Sequence, residues 1–191
     1  LICPDVNTGA LRRSLVKMEI NIRNEEAKDI EPVREVLCAA FPTDVESRLV
    51  DALRANGKAI ISLVASQNEQ VLGHIMFSPV TITPSNGAAP PSEAKGIGLA
   101  PVAVRPDVQA QGVGSSLIHE GLRLCKELGY DYCVVLGDPN YYQRFGFEKA
   151  SQFGMQNEYG ADDAFMLIRF SKGDLAQGLV NYVPEFAMFS V

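Results

Sequence analysis

The first regular pattern along the chain is an alternation of apolar and polar residues from Met18 to Arg23, which is the period of a half-buried β-strand. Apolar residues then recur at intervals of three and four between Ile30 and Phe41, which predicts a helix that Pro42 ends. The same spacing predicts a second helix, Val45–Ala55, with Asn56-Gly57 as its stop signal. The regular part of the chain therefore begins with a strand and two helices.

Two β-rich runs follow, Ala59–Ala65 and Val71–Ile82, and the polar turn between them indicates a hairpin. A loop rich in Pro, Gly and Ser, Thr83–Gly96, comes next. The run Ile97–Val104 is apolar throughout, so we expect a strand that is covered on both faces.

A broad apolar helix stripe spans Gly114–Leu128, where Gly129 terminates it, and a buried strand, Tyr132–Leu136, comes after it. Together with Ile97–Val104, these segments form a βαβ unit. Its two strands should be parallel neighbours joined by a right-handed crossover.

The C-terminal third carries weaker signals. It predicts one or two helical turns at Asn140–Phe145, strands beginning at Gly146 and within Ala164–Phe170, and an extended segment, Gly178–Phe189. We expect the segment 171–191 to pack at an edge of the sheet.

Domain organisation follows from length and composition. With 47% hydrophobic and 21% charged residues in 191, the chain has the profile of one globular domain, which we place at residues 18–191. Regular patterning begins at Met18, so residues 1–17 are interpreted as an N-terminal extension or an expression remnant.

The charge and the hydropathy of the chain argue against two classes of binding partner, nucleic acids and membranes. The chain has 17 basic and 23 acidic residues, a net charge of −6, and no block of like charges, which argues against nucleic acid. A mildly acidic surface suits cationic amine ligands, although it more often only confers solubility. The sequence contains neither a long apolar run nor a signal-peptide pattern, so we expect a cytoplasmic protein without membrane contact.

Metal chemistry is not indicated. The cysteines, Cys3, Cys38, Cys125 and Cys133, form no CxxC pair, and the chain has only 2 histidines, so no metal site is expected. Cys125 and Cys133 lie in apolar surroundings, where a thiol usually acts as a small buried hydrophobe.

The segment "VRPDVQAQGVGSSL", Val104–Leu117, is the strongest candidate for binding chemistry. It is not a P-loop, because no Lys follows its glycines, and it is not a dinucleotide fingerprint, because Leu117 stands where a third glycine is needed. What remains is a strand, a glycine turn and a helix N-terminus. Such a turn favours an anion, most naturally a pyrophosphate that is held without being cleaved.

Pro101 adds to this interpretation, because a proline inside a strand is tolerated mainly at bulges or where strands separate. A strand that leaves its parallel neighbour opens a cleft with unpaired backbone groups. An amide-containing ligand can dock there as an additional strand.

These residues resemble the GNAT superfamily of acetyl-CoA-dependent N-acetyltransferases. The family motif is Gln or Arg, two residues, Gly, one residue, then Gly or Ala, and "QAQGVG", Gln109–Gly114, matches it. Pro101 stands at the expected bulge, and "YYQRFGF", Tyr141–Phe147, follows at the expected distance. With the ending "GLVNYVPEF", the chain looks most like the YhbS-like branch.

The resemblance implies an α/β fold of the GNAT type, with a central mixed, mostly antiparallel sheet, one splayed parallel pair and flanking helices. It implies acetyl-CoA as co-substrate and no metal. By position, the pantetheine arm would pair with Val102, Ala103 and Val104. The pyrophosphate would lie on the turn formed by Gln109, Ala110, Gln111, Gly112, Val113, Gly114 and Ser115.

The resemblance also implies a catalytic residue. Tyr142, four residues before Gly146, would protonate the leaving thiolate, whereas Tyr141 is expected to be a wall residue. A phenol near pKa 10 is a weaker acid than a thiol near 8.5, so complete transfer is uphill by roughly 2 kcal/mol. A backbone N–H near Val104 is our hypothesis for the donor to the thioester oxygen.

The general base is not assigned. Asp138 and Glu46 are candidates, but each is more typical of a helix cap or a surface carboxylate, and a water chain would leave no residue signature.

The function implied is transfer of an acetyl group to a primary amine, of a small molecule or a protein, by direct attack on the thioester. A longer acyl-CoA, or an acyl-CoA-binding regulatory module without activity, is the alternative. Edge strands of such domains often pair, so a homodimer is a further expectation.

Overall fold

The computed structural model describes residues 19–85, 94–173 and 175–189. The expected start at Met18, the extension 1–17 and the centre of the predicted Thr83–Gly96 loop lie outside the described residues.

The structure contains the predicted βαβ unit as β4, α3 and β5. The strands are β1 Asn21–Asn24, β2 Ile61–Gln67, β3 Gln70–Pro84, β4 Gly96–Val104, β5 Tyr132–Leu136, β6 Glu148–Lys149, β7 Met155–Asn157, β8 Phe165–Arg169 and β9 Gly178–Tyr182. The α-helices are α1 Ile30–Ala40, α2 Val45–Ala55, α3 Val113–Glu127 and α4 Pro139–Tyr142. Short 3-10 helices cover Ala27–Asp29, Pro106–Val108, Gln143–Phe145, Ala150–Phe153 and Pro184–Phe189.

One mixed sheet joins all the described strands, in the order β1-β2-β3-β4-β5-β8-β6, with β9 paired to β3 and to β7. The predicted parallel pair is β4 with β5, connected through α3. A second parallel pair, β7 with β9, was not predicted from the patterning.

The C-terminal segment differs from the expected extended chain at an edge. Its strand, Gly178–Tyr182, has neighbours on both sides, antiparallel β3 and parallel β7. Pro184 then begins a 3-10 helix, in which Phe186 is buried. Proline fixes its own backbone angle near the helical value, which suits the first position of such a turn.

The two sheet faces bury separate cores because successive side chains of a strand point to opposite sides. On β3, Ile75 and Phe77 pack towards α3, with Leu117 and Leu122 in the same cluster. Met76 instead packs with the residues of α1 and α2, which include Leu37 and Leu49 among others. We call these the α3 face and the α1/α2 face.

Candidate active site

The parallel strands β4 and β5 separate after a short contact. Their pairing is confined to Gly96–Gly98 of β4 against Tyr132–Val134 of β5. Beyond Gly98, β4 continues to Val104, whereas the rest of β5 pairs only with β8 in the described part of the sheet. A gap therefore opens between the two strands, with β4 backbone groups along one side.

A bulge in β4 accompanies this separation. Ile75 pairs with Val102 and Phe77 with Leu99, so two β4 residues, Ala100 and Pro101, stand opposite Met76 alone. The extra residue bends the strand, as bulges do. Pro101 lies where the sequence predicted it, at a bulge next to the point of separation.

The turn after β4 is built around left-handed backbone at Ala110, with φ of 59°, and Gly112, with φ of 91°. The Gln109 side-chain amide donates to the Val104 carbonyl at 3.0 Å and ties the turn to the end of β4. Gly112 is the N-cap of α3 and provides no side-chain cap, and the first turn of the helix holds no acidic residue. The N-terminal N–H groups of α3 thus keep their capacity to bind an anion.

These elements enclose a cavity of about 700 Å³ on the α3 face. Eight of the ten predicted cofactor-binding residues line it, together with two residues from the segment after β5. Its lining is Val102, Val104, Gln109, Ala110, Gly112, Val113, Gly114, Ser115, Tyr141 and Arg144.

Ala103 and Gln111, the other two predicted residues, do not line the cavity. Ala103 alternates with Val102 and Val104, so its side chain is buried in the α1/α2 face core, and in the antiparallel ladder it stands opposite His74 of β3. Gln111 is exposed and donates from its amide to the Asp107 carbonyl at 3.3 Å.

Tyr141 and Arg144 complete the cavity lining. The Tyr141 hydroxyl oxygen lies 3.0 Å from the position of a β-carbon built on Gly114. The Arg144 guanidinium lies 4.4 Å from the centre of the Tyr141 ring, and its Nε donates to the Tyr141 carbonyl at 3.1 Å. Among the described residues that line the cavity, Arg144 is the one that carries a charge. The sequence predicted Tyr141 as a wall residue but did not predict Arg144. Arg144 could have been found as the only basic residue of the segment "NYYQRF".

Tyr142 does not line the cavity. Its side chain is 7% exposed and packs in the α3 face core, edge-on against Tyr141 at 5.2 Å and Phe147 at 5.7 Å between ring centres. A β-carbon at Gly137 would lie 2.2 Å from the Tyr142 ring, so the absence of a side chain there makes room for it. Burial raises the pKa of the Tyr142 hydroxyl.

The candidate bases have structural partners. The Asp138 carboxylate accepts from the Asn140 N–H at 2.9 Å and caps α4, and Glu46 accepts from the Thr43 hydroxyl at 3.5 Å. Neither residue lines the cavity.

The two buried cysteines, Cys125 and Cys133, have thiols that resist ionisation. Burial raises the pKa of Cys125 to about 12, and that of Cys133 also lies well above its usual value. Within the described ranges, no cluster of His, Cys, Asp and Glu could hold a metal ion, and no helix has the length and apolarity of a membrane span.

Comparison with known proteins identifies the family. The family described as "Acetyltransferase (GNAT) domain" matches residues 21–150. The chain is 35% identical over 179 residues to the uncharacterised N-acetyltransferase YhbS of Escherichia coli K12, covering 92% of this chain and 99% of the relative.

Two solved structures are similar as a whole. The crystal structure of Escherichia coli YhbS in complex with CoA superposes with a TM-score of 0.79 at 34% identity, over 87% of this chain and 91% of that one. A GNAT family acetyltransferase from Brucella melitensis in complex with acetyl-CoA superposes with a TM-score of 0.72 at 40% identity, over 88% and 99%. The chain therefore belongs to the GNAT family of N-acetyltransferases.

Proposed function

We propose that this protein transfers an acetyl group from acetyl-CoA to a primary amine by direct attack of the amine on the thioester. The observation that carries the proposal is a cavity that joins an uncapped helix N-terminus to Val102 and Val104, in the part of β4 that no longer pairs with β5. Similar proteins with bound CoA and acetyl-CoA support the choice of co-substrate.

The residues present fit the pyrophosphate and the pantetheine arm of acetyl-CoA. The N–H groups of Val113, Gly114 and Ser115 at the start of α3 suit the pyrophosphate, and Arg144 adds a positive charge to the same cavity. Val102 and Val104 line the way from that turn towards the separation point at Gly98, and the unpaired edge of β4 suits the amides of the pantetheine arm. The thioester end then belongs in the gap.

The backbone of β4 also supplies the donor for the thioester oxygen. An N–H near Val104, on the edge that faces no strand, would stabilise the negative charge that develops as the amine attacks. Since this donor is fixed in a strand, it needs no reorganisation during the reaction.

We propose Tyr142 as the acid that protonates the departing sulfur. Burial raises its pKa above the ordinary value near 10, so proton transfer is uphill by more than about 2 kcal/mol and must accompany cleavage of the C–S bond. Tyr141 borders the cavity directly and is the competing hydroxyl.

The test is an acceptor screen that follows release of the CoA thiol. The panel contains phenylethylamine, spermidine, a lysine-containing peptide and a peptide with a free N-terminus. Tyr142→Phe keeps the ring and should lower kcat on the order of 10²-fold, whereas Tyr141→Phe should change kcat little. If Tyr141→Phe alone abolished turnover, the acid would be Tyr141.

One observation favours a second function, an acyl-CoA-binding module without activity. Tyr142 is buried in the α3 face core and does not border the cavity. In that case the protein would bind acetyl-CoA by calorimetry yet release no thiol with any amine of the panel, and that result would overturn the transferase proposal.

A further inference from the structure

A smaller cavity, of about 450 Å³, is lined by residues of β7, of the loop that joins β7 to β8, and of the 3-10 helix Ala150–Phe153. We call it the β7 cavity. Met155 and Phe165 form its apolar part, and both are almost fully buried. The rest of its lining is small or polar: Ser151, Gln156, Asn157, Gly160, Ala161 and Asp162. A lining that is part apolar and part polar suits a ligand with an aliphatic chain and a polar end.

The loop from β7 to β8 is held by one buried side chain. Asn157 is 4% exposed, and its Oδ1 accepts from the N–H groups of Tyr159 at 3.0 Å and Ala161 at 3.2 Å. Its Nδ2 donates to the Ala161 carbonyl. At the other end of the loop, the Phe165 N–H donates to the Asp162 carbonyl at 3.0 Å. Hydrogen bonds on both sides of Asp162 therefore fix its place at the cavity.

The charge of the β7 cavity is negative. Among the described residues that line it, Asp162 is the one that carries a charge, and its carboxylate has no hydrogen bond or ion pair within the described parts of the chain. Lys149 interacts more weakly with Asp162, because its ammonium is paired with Asp163 at 2.6 Å. An unpaired carboxylate beside an apolar surface attracts a cation, and the net charge of −6 adds to this attraction. The β7 cavity thus fits an ammonium group on an aliphatic chain.

The β7 cavity lies one strand away from the gap between β4 and β5. Phe165 stands directly opposite Leu136, the last residue of β5, and the side chains of such a pair lie on the same face. Pairing of β5 with β4 ends at Val134, so Leu136 borders the gap. Neighbouring strands are about 4.8 Å apart, so Phe165 is about one such spacing from the strand that borders the gap. Leu136 is 36% exposed and extends the apolar surface of Phe165 towards the gap.

The two cavities are on opposite faces of the sheet. Val135 belongs to the α3 face core, so its neighbour Leu136 points to the other face, together with Phe165. The cavity at the N-terminus of α3 is on the α3 face. A ligand of the β7 cavity therefore approaches the gap from the side opposite to acetyl-CoA.

We infer that the β7 cavity binds a second, cationic group of the acceptor, so that the protein prefers aliphatic diamines to monoamines; this inference rests on the proposed function. The distal ammonium pairs with Asp162 and keeps its proton, and the methylene groups lie along Met155, Phe165 and Leu136. A chain of a few methylene groups spans one strand spacing, about 5 Å. The second nitrogen, in its neutral form, then lies in the gap and faces the thioester.

The kinetic test compares putrescine with butylamine, which share the same carbon chain and differ only in the second amino group. In the unmodified protein, kcat/KM for putrescine should be about tenfold higher than for butylamine, the worth of one charged hydrogen bond. Asp162→Asn keeps the shape of the side chain and removes its charge, so the ratio of the two values should fall about tenfold, through KM for putrescine. Asp162→Glu should restore most of the preference.

Glu158→Gln is the matched control, with the same loss of charge in the same loop. Glu158 is exposed, does not line the β7 cavity, and accepts from the Tyr182 N–H at 2.9 Å, which the glutamine oxygen can also do. The variant should keep the preference for putrescine. An equal loss in Glu158→Gln would show a general effect of negative charge and overturn the inference. A ratio that stays unchanged in Asp162→Asn would do the same and leave the transferase intact.

Calorimetry tests the β7 cavity separately from the chemistry. If no amine of the panel releases thiol, the proposed function fails, but binding is still measurable. Putrescine should bind to the CoA complex of the unmodified protein, and about tenfold more weakly to that of Asp162→Asn. Equal affinities, or no binding to the unmodified protein, would overturn the inference.

Discussion

The Tyr141 hydroxyl stands so close to Gly114 that a β-carbon at position 114 would lie 3.0 Å from the oxygen. Position 114 is helical, and alanine is compatible with that backbone, so the constraint comes from the approach of the tyrosine. Gly114→Ala should push Tyr141 into the cavity and weaken acetyl-CoA binding about tenfold, the effect of modest overpacking, as measured by calorimetry.

Two variants test that explanation. Gly114→Ala combined with Tyr141→Phe removes the crowding oxygen and should recover most of the affinity. Gly173→Ala is the control, because among the described residues its β-carbon would meet only the Ser171 hydroxyl, at 3.8 Å. A double variant as weak as Gly114→Ala alone would show that the glycine is needed for another reason.

Arg144 should contribute directly to the affinity for acetyl-CoA. As a charged residue of the cavity lining, it is placed to pair with a phosphate oxygen, and such charged hydrogen bonds contribute about 1.5–3 kcal/mol. Arg144→Gln should therefore raise the Kd for acetyl-CoA at least about tenfold and make binding less sensitive to salt. Arg123→Gln is the control, since Arg123 is exposed on α3 and paired with Glu120 and Glu127. Equal losses in both variants would point to a general effect of net charge.

Gly137 should be required for turnover but not for binding. Its β-carbon would lie 2.2 Å from the Tyr142 ring, so Gly137→Ala must displace that ring. We expect a loss of kcat, an unchanged Kd for acetyl-CoA, and about 1–3 kcal/mol less free energy of unfolding in a urea titration. If both changes act through the Tyr142 hydroxyl, Gly137→Ala should lower kcat no further in a Tyr142→Phe background. Additive losses would contradict the acid role of Tyr142.

Local patterns predicted most of the framework. The bounds of α2, Val45–Ala55, and of β5, Tyr132–Leu136, follow from apolar spacing and stop signals that need no knowledge of the rest of the chain. The glycine turn was also predictable, because Gly112 occupies a backbone conformation that side chains disfavour.

Relationships between distant segments could not be predicted in the same way. The parallel pairing of β7 with β9 depends on how the chain folds back between the two strands, and no periodic pattern of apolar residues predicts this. Whether Tyr141 or Tyr142 borders the cavity depends on the rotation of one short helix, α4, against α3 and the sheet. The approach of the Tyr182 ring in β9 to Gly98 in β4 likewise joins two strands that are far apart along the sequence.

A buried charged cluster on the α1/α2 face should make stability depend on pH. His74 has no exposed surface, and its Nε2 lies 2.9 Å from the Ser62 hydroxyl and 3.4 Å from Glu25 Oε2. Arg54 lies 2.5 Å from the other oxygen of Glu25. Burial lowers the pKa of His74, against the opposing effect of Glu25. Burial disfavours the charged form of Glu25, but the hydrogen bonds of His74 and Ser62 and the charge of Arg54 outweigh this and lower its pKa to about 2.

Both shifts predict destabilisation in acid. Below about pH 6.5, the unfolded chain protonates His74 while the folded protein resists it, so the free energy of unfolding should fall as the pH drops from 7 to 5.5. The contribution of Glu25 is present above its unfolded pKa of about 4.3 and is lost as the pH falls towards 2. The chain has only 2 histidines, so urea titrations of His74→Gln and of the exposed His119→Gln separate the first effect. His74→Gln should flatten the dependence between pH 7 and 5.5, and His119→Gln should preserve it. A steep dependence that survives in His74→Gln would assign the acid sensitivity to other groups.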